Sequence, residues 1–363
     1  SGVVTAASGG EREEVPAAAS PGRRWRCPLA PMELVAFAAF VGGIVFLRLH
    51  GLRTDWNSIS YTLWPFFREM PRILLLGIIL QLIWRAGSGL ISRSFAPVRE
   101  YCRSLWSPGW WFLWLRLYLV YGLTVYSYFW LKVSIPLVHY RLFDAELWRL
   151  DRWLHGGLSP SVLTAELVAG TPLAPLLGTW YGWWIASVMA VIAFFATDSR
   201  PALRRGFMLS CALLWAGGVW IYLAFPSLGP CYTSPDVFER VLSGMPGVQH
   251  VQQLLWENYQ LMLAGRSGAL TRFNPTRGIA ALPSLHVGAH VLFLLWARHR
   301  LRPLRVVFLA GALLTFLGSL ATGWHYAVDG YVGAVLAWGV YRLARWLEPD
   351  VLPEGTATPN VSR

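Results

Sequence analysis

Long apolar runs separated by short arginine-bearing loops most narrow what this chain can become. They stand near residues 31–49, 72–90, 110–135, 172–196, 205–226, 284–298, 303–322 and 325–346. A helix needs about twenty mostly apolar residues to cross the hydrocarbon of a bilayer. Only 14% of the 363 residues are charged, where a soluble domain carries about 25%. The pattern therefore predicts an all-α, polytopic membrane helical bundle of about eight transmembrane helices. In the second run Arg85 and Ser88 interrupt the apolar centre. A net charge of +12 would suit a nucleic-acid binder. The arginines, however, are scattered in short clusters between the runs, so a bilayer and not a nucleic acid is the expected partner.

Those clusters orient the bundle. Arg23, Arg24 and Arg26 precede the first run, and Arg93, Arg99 and Arg103 follow the second. Arg200, Arg204 and Arg205 join the fourth to the fifth, and Arg298, Arg300, Arg302 and Arg305 join the sixth to the seventh. Arg342 and Arg345 close the last. With eight alternating helices all of these share one side, which the positive-inside rule makes cytoplasmic. Both termini are then cytoplasmic, and the sixth and eighth runs begin at the extracytoplasmic or luminal face. Residues 1–30, rich in Ala, Gly, Glu and Arg, read as a disordered cytoplasmic tail and not a cleaved signal peptide. Residues 31–109 hold two additional N-terminal helices, 110–346 a six-helix core and 347–363 a C-terminal tail. Cys27, Cys102, Cys211 and Cys231 show neither metal spacing nor a paired framework.

Two outer segments are amphipathic. Phe143, Leu147, Leu150 and Leu154 share one helical face, and Val251, Leu254, Leu255, Leu261 and Met262 form a broad apolar side. Both read as helices lying in the interface, as a plug or as a lid over a substrate groove.

The chemistry concentrates in "LPSLHVGAHVLFLLW" (282–296) and "GWHYAVDGYVGAVLAW" (323–338). His325 and Asp329 are four residues apart on a predicted helix and so share a face. A carboxylate beside an imidazole fixes its tautomer and leaves the other nitrogen free to attack. A His–Asp bond that merely joins helices is the plainer reading, yet an Asp in an apolar span is costly and such groups usually function. Ser284 can cap the next helix, with Pro283 setting the turn. The N–H groups around Leu285 and His286 would then make an anion site. Arg272 and Arg277 stand just upstream, able to grip a phosphate. One imidazole to attack phosphorus and one to protonate the departing oxygen suit phosphoryl transfer through a phosphohistidine. Two other readings stay open. His286, His290, His325 and Asp329 could ligate zinc in a metal-dependent intramembrane hydrolase, although no Glu stands in an HExxH pattern. A proton-coupled transporter could use the His–Asp pair, although the two halves show no inverted repeat.

"PSLHVGA" followed by "HYAVDGYVGA" resembles the second and third signature motifs of the type 2 phosphatidic acid phosphatase superfamily, membrane-embedded lipid phosphatases and phosphotransferases. Leu285 in place of the usual Gly, with "LDRWLHGGLSP" and "YLAFPSLGP" upstream, looks most like the branch of inositol phosphorylceramide synthase and sphingomyelin synthase. The resemblance covers roughly 110–346. It implies His325 as nucleophile, Asp329 as its orienting carboxylate and His286 as general acid and later base, acting on a phospholipid or lipid phosphate without a metal or other cofactor. The family's KxxxxxxRP motif is absent. Arg200-Pro201 lies on the cytoplasmic side, and Ser319 stands where an Arg precedes the nucleophile by six. Arg266, Arg272 and Arg277, with Ser284, are then the candidates for holding the phosphate. A lipid phosphotransferase is the expectation, and a lipid-phosphate phosphatase with water as acceptor is the alternative.

Overall fold

A computed structural model describes residues 30–52, 56–264 and 274–350. Residues 1–29 and 351–363 of the two expected tails lie outside the described residues, as do Cys27, Arg266 and Arg272. The described chain is helical, with no strand among the described residues. In order come α1 (Pro31–Leu49), α2 (Trp56–Ser92), α3 (Ala96–Leu105), α4 (Pro108–Val138), α5 (Asp144–Leu154), α6 (Pro160–Val168), α7 (Leu173–Gly182) and α8 (Trp184–Ala196). Then follow α9 (Pro201–Ala224), α10 (Pro230–Thr233), α11 (Pro235–Leu242), α12 (Pro246–Ala264), α13 (Leu285–Arg300), α14 (Arg305–Ala321) and α15 (Ala327–Leu347). Prolines open α4, α6, α9 and α11, where the missing N–H costs nothing and the fixed φ suits a first turn.

The expected all-α membrane bundle is the fold. Four described helical stretches are long and apolar enough to cross a bilayer by themselves: Pro31–Leu49, Leu63–Ser92, Pro201–Ala224 and Arg302–Ala321. A fifth is reached if α6 and α7, bent by 119° at the break between them, count as one span. Helices also occupy the other expected places, but they are less simply apolar. Lys132 and Arg116 lie within α4. α13 has 16 residues, which at 1.5 Å per residue reach about 24 Å, short of the ~30 Å hydrocarbon. The run expected over 172–196 is not one helix, because it breaks at Trp183 between α7 and α8. The second run, by contrast, is continuous through Arg85. That guanidinium is buried, lies 4.7 Å from the Tyr101 ring centroid and donates to Ser199 Oγ at 2.9 Å.

Asp198, fully buried in the α8–α9 turn, ties this region together. It pairs with Arg300 at 3.0 Å, Arg200 at 3.2 Å and Arg85 at 3.9 Å, so α2, α9 and α13 share one carboxylate. Burial pushes its pKa up, but Arg200, Arg300 and Arg85 outweigh this and hold it below the usual carboxylate value.

α4 lies along α1 and α9, and α13 runs between α14 and α15. Leu131, Phe207, Leu209, Leu292, Phe293 and Trp296 make the centre of the buried core. Where α13 crosses α15 the contact is backbone on backbone. A Cβ on Gly333 would stand 2.2 Å from Ser284 O, and one on Gly288 3.0 Å from Gly333 O. Glycine at such crossings lets membrane helices approach to van der Waals distance. The starts of the two helices are thereby brought side by side.

The two outer amphipathic helices form, and each turns polar groups as well as apolar ones toward the protein. In α5 the buried residues are Asp144, Leu147 and Asp151, while Leu150 and Leu154 are 41% and 47% exposed. In α12 they are Val248, Gln252, Asn258 and Met262, with Val251 and Leu261 about half exposed. The reason is polar. Gln252 Nε2 donates to Thr322 O at 2.8 Å, and Asn258 Nδ2 donates to Arg277 O at 3.1 Å. These helices turn their hydrogen-bonding groups inward to satisfy loop backbone and leave leucines outside.

Two outcomes follow for detergent-solubilised protein. Gly333→Val should lower stability by about 1–3 kcal/mol, read as a fall in thermal midpoint, because the clash is with backbone. Asp198 ionises more readily folded than unfolded, so its stabilisation is present above the unfolded pKa and lost as pH falls through the lower folded one. Asp198→Asn should remove that part of the acid-side slope of the midpoint as pH falls below the usual carboxylate pKa of about 4.

Candidate active site

The starts of α13 and α15 carry the titratable groups. Ser284 is the N-cap of α13, its Oγ accepting from Val287 N–H at 3.4 Å. It is fully buried, so its hydroxyl serves the helix end and does not face a cavity. Its N–H donates to Asp329 O at 2.8 Å, which locks one helix start to the other.

His325 is not on α15, as its spacing from Asp329 had suggested, but just ahead of it. Tyr326 is the N-cap, and Asp329, three residues on, accepts from Tyr326 N–H through Oδ2 at 2.9 Å. The carboxylate that closes the helix start also stands 3.4 Å from His325 Nδ1. Capping thus brings the pair together, with no shared helical face needed. Asp329 is fully buried and His325 is 2% exposed. Asp329 Oδ1 and His325 Nδ1 have no hydrogen-bond partner, a loose geometry that tightens in many active sites once substrate is bound.

On the other side of the ring, His325 Nε2 lies 3.3 Å from His286 Nδ1. With Asp329 behind Nδ1, the proton of a neutral His325 belongs there and Nε2 presents a lone pair. His286 Nδ1 then carries the proton between the rings, an assignment made from the partners. The two helix starts singled out in the sequence meet in this contact.

His290 behaves differently. Its Nδ1 donates to His286 O at 3.0 Å, its Nε2 is 3.3 Å from Ser187 Oγ, and it is 5% exposed. Both nitrogens are occupied one turn below His286. Among the described residues no group of three or more His, Cys, Asp or Glu side chains is gathered as a metal site.

A cavity of about 760 Å³ opens against His286. The α7–α8 break, the Gly244–Val248 turn and Trp324 wall it. Trp184 and Tyr181 lie 4.1 and 5.0 Å from the His286 ring, centroid to centroid. Non-helical backbone at membrane depth is tolerated where it lines a cavity, which accounts for the interruption at Trp183. Arg277 does not line this cavity. It is half-buried on the loop before α13, its N–H bonded to Asn274 O.

Two residues escaped the reading of the sequence. Asp151, on α5, accepts from Val328 N–H at 3.0 Å and so caps α15 from another helix. Burial raises its pKa against the pull of the Val328 and Ala327 N–H groups. Asp144 accepts from Leu228 and Gly229 N–H groups at 2.9 and 2.8 Å and from Tyr326 Oη at 3.0 Å. Gly229, at φ +101°, lies so close to the loop of His325 that a Cβ would be 2.4 Å from Trp324 O. The available signal was the seven-residue spacing of Asp144 and Asp151, which puts both on one face of α5.

A family model of the PAP2 superfamily matches residues 145–343, more than half of the chain. No curated protein and no solved structure matches. The match spans α5 to α15 and contains His286, His325 and Asp329.

Removing the cap on α15 should displace His325. Asp151→Ala should reduce turnover at least tenfold and lower the thermal midpoint, while Asp151→Asn, which keeps one acceptor, should recover part of both. A buried hydrogen bond of this kind is worth about 1–3 kcal/mol. Steady-state rates with calorimetry on both variants test it.

Proposed function

Because the chain belongs to the PAP2 superfamily, whose members act on phosphate esters as phosphatases or phosphotransferases, we propose that it is an integral-membrane lipid phosphotransferase. It moves a phosphoryl or phosphoalcohol headgroup through a phosphohistidine on His325. The observation that carries this reading is the 3.3 Å contact between His325 Nε2 and His286 Nδ1, with Asp329 3.4 Å behind.

In the first half-reaction the His325 Nε2 lone pair attacks phosphorus, and the bond from phosphorus to the leaving oxygen breaks. His286 enters this step as the imidazolium and passes a proton to that oxygen, so a neutral alcohol departs and a neutral ring remains. Asp329 holds the Nδ1 proton of His325 and offsets the positive charge that develops on the ring. In the second half-reaction neutral His286 takes the proton of an acceptor hydroxyl, whose oxygen attacks phosphorus. The phosphorus–nitrogen bond breaks and both histidines return to their starting states. The substrate phosphorus must enter between the two rings and replace their mutual contact.

The choice of acceptor rests on the cavity and on the missing motif. A space of about 760 Å³ walled by Tyr181, Trp183, Trp184 and Trp324 beside His286 suits an apolar or hydroxylated acceptor better than bulk water. The absent KxxxxxxRP sequence argues the same way. Within the superfamily we favour the branch of inositol phosphorylceramide synthase and sphingomyelin synthase. Arginine clustering supports cytoplasmic termini and an active site on the extracytoplasmic or luminal side.

Purified protein incubated with labelled lipid phosphates, with and without inositol, diacylglycerol or ceramide-like acceptors, tests the reading. A new phospholipid is expected. Free phosphate alone would make the protein a phosphatase. His325→Ala should lose at least about a thousandfold in turnover, and His286→Ala about a hundredfold or more. Unchanged turnover in His325→Ala would remove the mechanism, and inactivation by a chelator would favour a metal site.

A further inference from the structure

The reaction needs a positive charge to hold the phosphoryl group, and the expected arginines do not furnish one from the described walls of the cavity. The chain contains 31 basic residues, of which one, Lys132, is a lysine. It stands near the end of α4, upstream of the segment matched by the family model. Elsewhere this chain uses arginine for its loops, its ion pairs and its buried contacts, so its single lysine occupies a singular place.

Lys132 is half-buried. Its Nζ lies 5.5 Å from the Tyr222 ring centroid and 5.7 Å from that of Tyr128, a position that steadies a cation without neutralising it. Tyr222 is 2% exposed, and its hydroxyl lies against the backbone N–H of Leu285, the first residue of α13. The ammonium is within electrostatic reach of the next residue, His286. Gly278, on the strap leading into α13, closes over the stem. A Cβ there would stand 3.0 Å from Lys132 Cγ. Among the described residues no carboxylate forms an ion pair with Lys132, although eight arginines on the described chain pair with an Asp or Glu. A cation drawn out of water without a counter-ion is costly, and an anionic ligand arriving beside it relieves that cost.

We propose that Lys132 supplies the cationic contact to the phosphoryl group of the substrate, acting with the N–H groups at the start of α13 in place of the family's missing basic motif. This assignment rests on the phosphotransfer reading above. The ligand class is a phosphate ester, or the inorganic phosphate released from it. A compact ammonium meets phosphate as a point charge, where a guanidinium would need a bidentate fork and more room than the strap over α4 allows. The indole and phenol groups that line the cavity beside His286 are neutral. Tyr181 Oη and Trp324 Nε1 are buried without hydrogen-bond partners and complete the shell around oxygens that Lys132 does not reach.

The test uses the full chain in detergent, with inorganic phosphate as the probe. Lys132→Met should raise the phosphate concentration that half-inhibits turnover at least tenfold and lower kcat/KM for a lipid phosphate at least a hundredfold. Lys132→Arg should restore part of the phosphate inhibition, and Arg277→Gln should change it less than threefold. If Lys132→Met does not fold, Lys132→Gln replaces it. A second measurement needs no variant: the single lysine makes amine-directed methylation read Lys132 alone within the chain interior, and phosphate should slow its labelling in a peptide mass map. Equal phosphate inhibition in the wild type and in the neutral Lys132 variant overturns the assignment, as does loss of inhibition at Arg277 instead. His325→Ala, run alongside, separates the two failures. If it abolishes turnover while the Lys132 variants behave as wild type, the reaction stands and the lysine lies outside it. If it leaves turnover intact, the phosphotransfer reading itself falls.

Discussion

The hydrogen bond from Ser284 N–H to Asp329 O joins two helix starts that are 45 residues apart in sequence, and the rest of the site depends on it. It can form because Gly333 and Gly288 let the backbones of α15 and α13 meet without side chains between them. Once the starts are locked, His286 and His325 have no freedom to lie elsewhere. Each follows or precedes a capped turn whose direction is set, and their rings face at 5.5 Å between centroids. The catalytic spacing is thus a consequence of close backbone packing, the device by which membrane helices associate when lipid offers no hydrophobic contrast.

Polar groups in such a bundle are expensive unless each has a partner, and this chain answers that with carboxylates from outside the bundle's own spans. α5 contributes Asp151 to the first N–H groups of α15 and Asp144 to the 226–229 loop and Tyr326. The outer helix is therefore more than a cover. It fixes the loop in which His325 sits, and its leucines face outward because its aspartates are needed inside. At the α8–α9 turn Asp198 gathers three arginines in the same manner. Acidic residues are few in this sequence, and the buried ones are concentrated where helix ends must be held.

The cavity beside His286 has a shape that follows from the same economy of backbone. A straight helix over 172–196 would have filled it. The break at Trp183 and the Gly244–Gly247 turn leave an aromatic space next to one histidine and away from the other. His286 thus borders the cavity, and His325 lies behind it against Asp329. Lys132 stands on α4 with its ammonium over Tyr222.

Much of this was legible in the amino-acid sequence. Apolar length and sparse charge determined a helical membrane protein, and the two short motifs named His286, His325 and Asp329, because membrane-embedded ionisable groups rarely occur without purpose. Capping chemistry at Ser284 was legible too, since a serine before an apolar run has few other uses. The partners that hold those groups were not. Periodicity read an apolar face on α5 for the interface, and it did not show that Asp144 and Asp151 would turn inward to hold distant helix ends. The His325–Asp329 spacing suggested a helix face, whereas a capped turn joins them. Sequence by itself determined which side chains carry charge and reactivity, because these are properties of single residues and their near neighbours. Which of them meet, and which lysine or aspartate serves a helix 150 or more residues away, only the tertiary structure decided, because those contacts depend on how closely distant backbones can pack.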